Sequence, residues 1–272
     1  MSLLTTYPGL IEALSGEMTP KFLATRSADG IPNVVPVTSI MPSGDVADRL
    51  IFGNFLLRKS VRNLDSDARV GIMVITTDLE GWVLEGEFTG WQRTGAYVER
   101  INSTDLLRYN AYTGIRNAGI IQVQAIRRHF RISKLHVLAD YLIARCAARP
   151  HNLPAEARTM PLPVQTAFRP MTAIRALAFL DGKGHPMIAP TLSLQPAGER
   201  ALVCAEGLAT DLLTPLATGD PIAASLLTLD VISFQVKGQW LGSRCLLGAP
   251  VGMMATTAAY AGGPPIPGGQ VA

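Results

Sequence analysis

Two stretches of the chain repeat each other without a gap. Gly30 to Gly44 (GIPNVVPVTSIMPSG) aligns with Gly184 to Gly198 (GHPMIAPTLSLQPAG) at an offset of 154, with six identities in 15 positions. After a two-residue slip, Trp82 to Gly90 (WVLEGEFTG) aligns with Phe234 to Gly242 (FQVKGQWLG) at an offset of 152. Two matches in one order and at spacings that differ by two residues imply an ancient duplication, and internal repetition constrains a fold more than any local propensity. The 272 residues fit two domains at about 100–200 residues each.

Each copy reads mostly as strand. Phe22 to Arg26 runs into the turn dipeptide Asp29-Gly30, a hairpin signal. Asn33 to Met41 is a second apolar run, with Pro36 marking an edge or a bulge because proline cannot donate to the ladder. Leu50 to Phe52, Arg69 to Thr77, Gly81 to Arg93 and Ile120 to Ile132 supply four more strands. Helical segments are expected at Ser60 to Asp65 and at Thr94 to Tyr109. Closely spaced strands with few helices predict small barrels, mainly β with short helices, closed so that edges are not exposed. The expected divisions are a first barrel over 1–145, a Pro-, Ala- and Arg-rich linker over 146–170, a second barrel over 171–248, and a mobile Ala-, Gly- and Pro-rich tail over 249–272.

Charge and composition exclude several classes. Charged residues make up 17% against a usual share of about 25%, and apolar residues 48%, so large buried surfaces are expected and a disordered chain is not. A net charge of +3 with no long basic stripe gives no reason to expect nucleic acid. Cys146, Cys204 and Cys245 form no CxxC and read as free thiols. No signal peptide or spanning segment is read, so the expectation is a cytoplasmic protein with no membrane partner. His129, His136, His151 and His185 show no metal-ligand spacing. His129 lies in the basic run Arg127 to Arg131, read as a solvated strand face. Trp82 and Trp91 read as packing residues more readily than as neighbours of a ligand.

The chemistry is concentrated in Asn54 to Leu64 (NFLLRKSVRNL), which joins a strand to a short helix. Ser60 is placed to cap that helix and Lys59 precedes it. Free N–H groups at a helix start favour an anion, and Lys59 adds a full charge, with Arg58 or Arg62 in reserve. Such a site suits a phosphate monoester; an ordinary capped helix with solvated cations is the alternative reading.

The order Val-Thr-Ser at 37–39, Leu-Ile-Phe-x-Asn at 50–54, Lys-Ser-x-x-Asn-Leu at 59–64, then a Gly-x-x-x-Gly strand at 86–90, resembles the FMN-binding split-barrel superfamily. These are the pyridoxamine 5′-phosphate oxidase-like proteins, including small bacterial FMN-binding proteins, and the resemblance covers about residues 18–132. It implies that Lys59 and Ser60 hold the FMN phosphate. It further implies that Val37, Thr38 and Ser39 contact the ribityl chain and ring, and that the turn Asn54, Phe55, Leu56 and Leu57 covers the ring. Family members pair two barrels around each flavin, so a homodimer or an intra-chain pseudo-dimer is implied. The Arg and His set that holds substrate in true pyridoxamine phosphate oxidases is missing. The implied activity is an FMN-dependent oxidoreductase, with NAD(P)H or a small molecule as partner. The alternatives are a non-catalytic FMN or electron-transfer protein, or a barrel holding haem or a deazaflavin. In the second copy Asp211, Leu212 and Pro215 replace Lys59, Ser60 and Asn63, so the second barrel should bind no FMN through this element.

Overall fold

The computed structural model describes residues 2–55, 57–105, 114–149, 153–263 and 268–272. The first sheet comprises β1 (Lys21–Arg26), β2 (Pro32–Pro36), β3 (Met41–Pro42), β4 (Arg49–Gly53), β5 (Arg69–Ile75), β6 (Glu80–Gln92) and β7 (Ala118–Arg131). The second comprises β8 (Ile174–Leu180), β9 (Pro186–Pro190), β10 (Gln195–Pro196), β11 (Ala201–Ala205), β12 (Pro221–Leu227), β13 (Ser233–Leu246) and β14 (Ala249–Ala261). The helices are α1 (Pro8–Ser15), α2 (Arg58–Ser66), α3 (Ala96–Asn102), α4 (Lys134–Ala147), α5 (Leu162–Phe168) and α6 (Thr210–Leu213). The protein is therefore mainly β with short helices, in two antiparallel sheets.

The two sheets have one topology. The first runs β2-β1-β5-β6-β7-β4-β3, and the second, read from its far edge, runs β9-β8-β12-β13-β14-β11-β10. Each strand of the second sheet takes the place of the strand seven earlier. The turn glycines follow suit: Gly30 and Gly184 both have φ of 74°, the left-handed region that only glycine enters without steric cost. A buried cation repeats as well. Lys21 donates to the carbonyls of Gly16 (2.7 Å) and Thr38 (3.0 Å). Arg175, at the offset of 154, donates to the carbonyls of Pro170 and Leu192, which are the equivalents of Gly16 and Thr38. Both hold the chain entering the first strand against the turn that follows the second. Burial pushes Lys21 down to about 8 and Arg175 down to about 10.

Each sheet closes on its own core. Leu23, Leu50, Phe52, Ile72 and Trp82 anchor the first. Phe168, Leu177, Leu202, Ile222 and Trp240 anchor the second. A third cluster joins them: Phe22, Val34, Met73, Ile75 and Val83 pack against Ala176, Ala178, Ile188, Leu192 and Ala223. This shared apolar layer accounts for the low charge of the chain, since surfaces facing each other cannot carry unpaired ions. The halves approach closely where a Cβ on Gly71 would lie 2.5 Å from the carbonyl oxygen of Pro186. Gly71→Ala must push backbone apart there, and we expect a loss of about 1–3 kcal/mol in urea unfolding. Unchanged stability would mean the halves do not meet at this point.

Several expectations need correction. The stretch 249–272 is no free tail: β14 lies between β11 and β13, and the Ala259 N–H donates to the Ala272 carbonyl at 3.0 Å. Its small residues are a packing requirement, because a Cβ on Gly252 would lie 2.0 Å from the Trp240 ring. The run Asn33 to Met41 breaks after Pro36, and Val37 to Ile40 forms a turn closed by the Ile40 N–H on the Val37 carbonyl. The helix expected over Thr94 to Tyr109 is α3, and the part over 106–109 lies outside the described residues. The helix α4, straddling the expected domain boundary, packs through Ala147 on Ala201, Val203 and Val251 of the second half.

Candidate functional site

The site is built where α2 meets the second half of the chain. The helix begins at Arg58, three residues earlier than the capping pattern predicts, and Leu57 is its N-cap. Ser60 therefore does not cap. It lies inside the first turn, fully buried, and its hydroxyl accepts from Asn33 Nδ2 at 3.2 Å. Asn63 Nδ2 donates to Thr25 Oγ1 at 2.9 Å, and Leu64 enters the first core. Positions 60, 63 and 64 fall on one face of a helix, so this motif fixes α2 to β1 and β2. The N–H groups of Arg58, Lys59 and Ser60 belong to the first turn, which has no intrahelical acceptor for them.

A cavity of about 360 Å³ opens at this helix start, within the range of about 300–1,000 Å³ usual for ligand sites. Val37, Thr38, Ser39, Phe55, Leu57, Arg58, Lys59 and Ser60 line it from the first half. Ser225, Leu227, Ser233, Gln235 and Tyr260 line it from the second, with Gly262, Gly263 and Gly268. Gln235 Nε2 donates to the Val34 carbonyl at 2.6 Å, holding the walls together. Asn54 does not line the cavity: its N–H donates to Asn117 and its carbonyl accepts from Arg116, so it secures the loop behind. Leu56 lies outside the described residues. The Thr38 carbonyl is held by Lys21 and the Ser39 hydroxyl accepts from the Gly53 N–H at 3.0 Å, so the turn that lines the cavity is rigid.

Lys59 dominates the electrostatics. Its Nζ is buried, has no hydrogen-bond partner, and lies 2.6 Å from the centroid of the Tyr260 ring. Burial, then the charge of Lys237, then that of Arg62, bring its pKa down to about 7. Lys237 is itself pushed down by burial. Among the described residues, no carboxylate lines the cavity. A buried ammonium without a counter-charge is costly to keep, and a bound anion would satisfy it. Asn33 Oδ1, also buried on this wall, likewise has no partner.

The equivalent position in the other half is filled. Ser225 corresponds to Met73, Leu227 to Ile75, Gln235 to Val83 and Thr38 to Leu192, and these four bulky residues belong to the apolar layer between the sheets. Lys59 corresponds to Asp211, and the strand pairings place Arg128 where Tyr260 stands. Asp211 and Arg128 form an ion pair at 3.6 Å. Val137 of α4 packs over the same layer, whereas after β14 the described residues that line the open cavity are Gly262, Gly263 and Gly268.

The chain is similar to FMN-binding split-barrel proteins over about half of its length. No family model and no curated protein matches it. The crystal structure of HupZ from Group A Streptococcus matches 47% of this chain and 94% of its own, at 21% identity and a TM-score of 0.37. An FMN-binding protein from Syntrophomonas wolfei matches 48% of this chain and 88% of its own, at 19% identity and a TM-score of 0.39. HutZ of Vibrio cholerae, a haem storage protein, matches 48% of this chain and 95% of its own, at 16% identity and a TM-score of 0.35.

The repeat pointed to two related halves; only the fold placed Ser225, Gln235 and Tyr260 in the same cavity as Lys59. The remaining candidates lie elsewhere. Trp82 is buried and stacks on His129 at 5.3 Å, and Trp91 packs edge-on against Phe52 at 5.6 Å. The basic run on β7 meets carboxylates: Arg127 pairs with Glu85, and His129 Nε2 lies 2.7 Å from Glu80 Oε1. Among the described residues no group of His, Cys, Asp or Glu is arranged to hold a metal.

Proposed function

We propose that this protein is an FMN-binding flavoprotein that holds one flavin per chain, between its two halves, and acts as an oxidoreductase. The observation that carries the reading is the buried, unpartnered Lys59 ammonium at the start of α2, inside a cavity walled by both copies. Lys59, the Ser60 hydroxyl and the first-turn N–H groups would hold the phosphate. Asn33 would accept from a hydroxyl of the ribityl chain through its free Oδ1. Phe55, Leu57, Val37 and Leu227 offer an apolar bed for the ring and exclude water from it. Bound FMN supplies hydride or electron transfer, and the protein supplies binding, orientation and shielding. No acid or base is assigned: among the described lining residues the ionisable side chains are Arg58, Lys59 and Tyr260.

Those described lining residues include no His, Cys or Met, and Tyr260, whose phenol burial keeps protonated and whose ring faces Lys59, is a poor haem ligand; a flavin is favoured over haem as the occupant. Titration of the purified protein with FMN, followed by quenching of flavin fluorescence, tests the reading. Saturation is expected at one FMN per chain, with haem and a deazaflavin failing to compete. Two flavins per chain, or haem displacing FMN, would overturn it. Anaerobic addition of NAD(P)H tests the activity, with bleaching of the bound flavin as the expected result. A flavin that no donor reduces would leave a carrier in place of an enzyme.

A further inference from the structure

One surface is unexplained by the flavin site. The helix α4 buries Val137, Ile143, Ala144 and Ala147 against the body of the protein. Its opposite face carries Leu135, Leu138 and Leu142, which are 79%, 42% and 51% exposed, and ends at exposed Cys146. Spaced at 135, 138, 142 and 146, these side chains form one stripe along the helix. Beyond the C-terminal end of α4, the turn joining β13 to β14 presents Leu247, 76% exposed, while Leu246 beneath it packs in the same cluster as Ile143 and Ala147. The apolar stripe and the turn are therefore contiguous.

The charge around this face has one sign. Lys134, Arg145 and Arg149 flank it on the α4 segment, and Arg244 stands beside the turn with a bond to the Ala147 carbonyl at 3.2 Å. The one acid between 134 and 149, Asp140, is turned inward beside the Gly207 backbone. Within 134–149, Lys134, Arg145 and Arg149 stand against that one acid, while the arginines of β7 are paired with Glu85, Asp211 and Glu80 and add nothing to this face. We propose that α4 and the 247 turn dock on an anionic membrane surface, with the leucines entering the headgroup boundary and the cations meeting lipid phosphates. Exposed leucines bordered by Lys and Arg are the composition of a helix lying in such an interface. At about 1.5 Å per residue, α4 offers a contact about 21 Å long. Pairing with a second copy would set these cations against their own kind.

The expectation of no membrane partner rested on the lack of a spanning segment. None of the described helices is long and apolar enough to cross a membrane, and a helix lying on the surface needs no such length.

Co-sedimentation of the full FMN-loaded chain with vesicles tests the proposal. Vesicles of equal parts phosphatidylglycerol and phosphatidylcholine should bind it at low salt, and pure phosphatidylcholine should not. Lys134→Gln with Arg145→Gln should weaken binding about thirtyfold, at roughly fivefold per cation. Leu135→Ser with Leu142→Ser should also release the protein. FMN affinity should stay unchanged in both variants, which shows that the fold persists. No binding to the anionic vesicles, equal binding to neutral ones, or indifference to both variants would overturn the proposal. So would a dimer, seen by light scattering and dissolved by the leucine changes, or capture by polyglutamate, in the absence of vesicle binding.

Discussion

Lys59→Met should weaken FMN binding by about 10- to 150-fold, the loss of a hydrogen bond to a charged group worth about 1.5–3 kcal/mol. The same change should raise the melting temperature of the flavin-free protein. The Lys59 Nζ is buried without a partner beside Tyr260, with Lys237 and Arg62 repelling it. An uncharged side chain of similar length removes that desolvation cost. A merely structural lysine would behave differently, with stability falling on its removal and FMN affinity unmoved. Fluorescence titration and thermal unfolding of the two proteins decide between these outcomes. Ser60→Ala should cost less affinity, because its hydroxyl is neutral and is already engaged by Asn33.

FMN affinity should fall steeply above about pH 7. The Lys59 ammonium of the free protein titrates at about 7, below its ordinary value of 10.5. Between those values the unfolded chain holds a proton that the folded one lacks, so this group makes the flavin-free protein more stable as pH rises through that window. Binding has the opposite dependence. A phosphate beside Nζ favours the charged form, so above pH 7 the complex must take up a proton, and affinity drops by about tenfold per pH unit. Below about pH 6 the phosphate itself gains a proton, so the optimum lies between. Tyr260, raised by burial, stays neutral over this range. Calorimetry at pH 8 in buffers of different ionisation enthalpy should report net proton uptake, and Lys59→Met should abolish most of it. Affinity that is flat from about pH 6 to 9 would remove Lys59 from the phosphate site.

The strands of the first copy were readable because they alternate, branch at Cβ and end at turn residues. The strand β14 was not, since its Ala, Gly and Met residues carry no such pattern; Gly252 is small because the Trp240 ring lies against it. Ser60 was misplaced by three positions because a hydroxyl before an apolar helix reads as a cap. Here the same hydroxyl accepts from Asn33, which stands 27 residues earlier. The paired cations Lys21 and Arg175 went unnoticed as a repeat, since the two residues differ and their shared role lies in which carbonyls they reach.

The sequence by itself determined the duplication, the mainly β character, and the placing of Lys59 and its neighbouring cations where a strand passes into a short helix. These are properties of spacing and residue type, which survive without coordinates. Only the tertiary structure decided that the second copy walls the first copy's cavity and that the mirrored position is packed shut. The reason is distance along the chain. Lys59 acquires its meaning from Tyr260 and Lys237, and Met73 from Leu192, and no local pattern records contacts between residues more than a hundred positions apart.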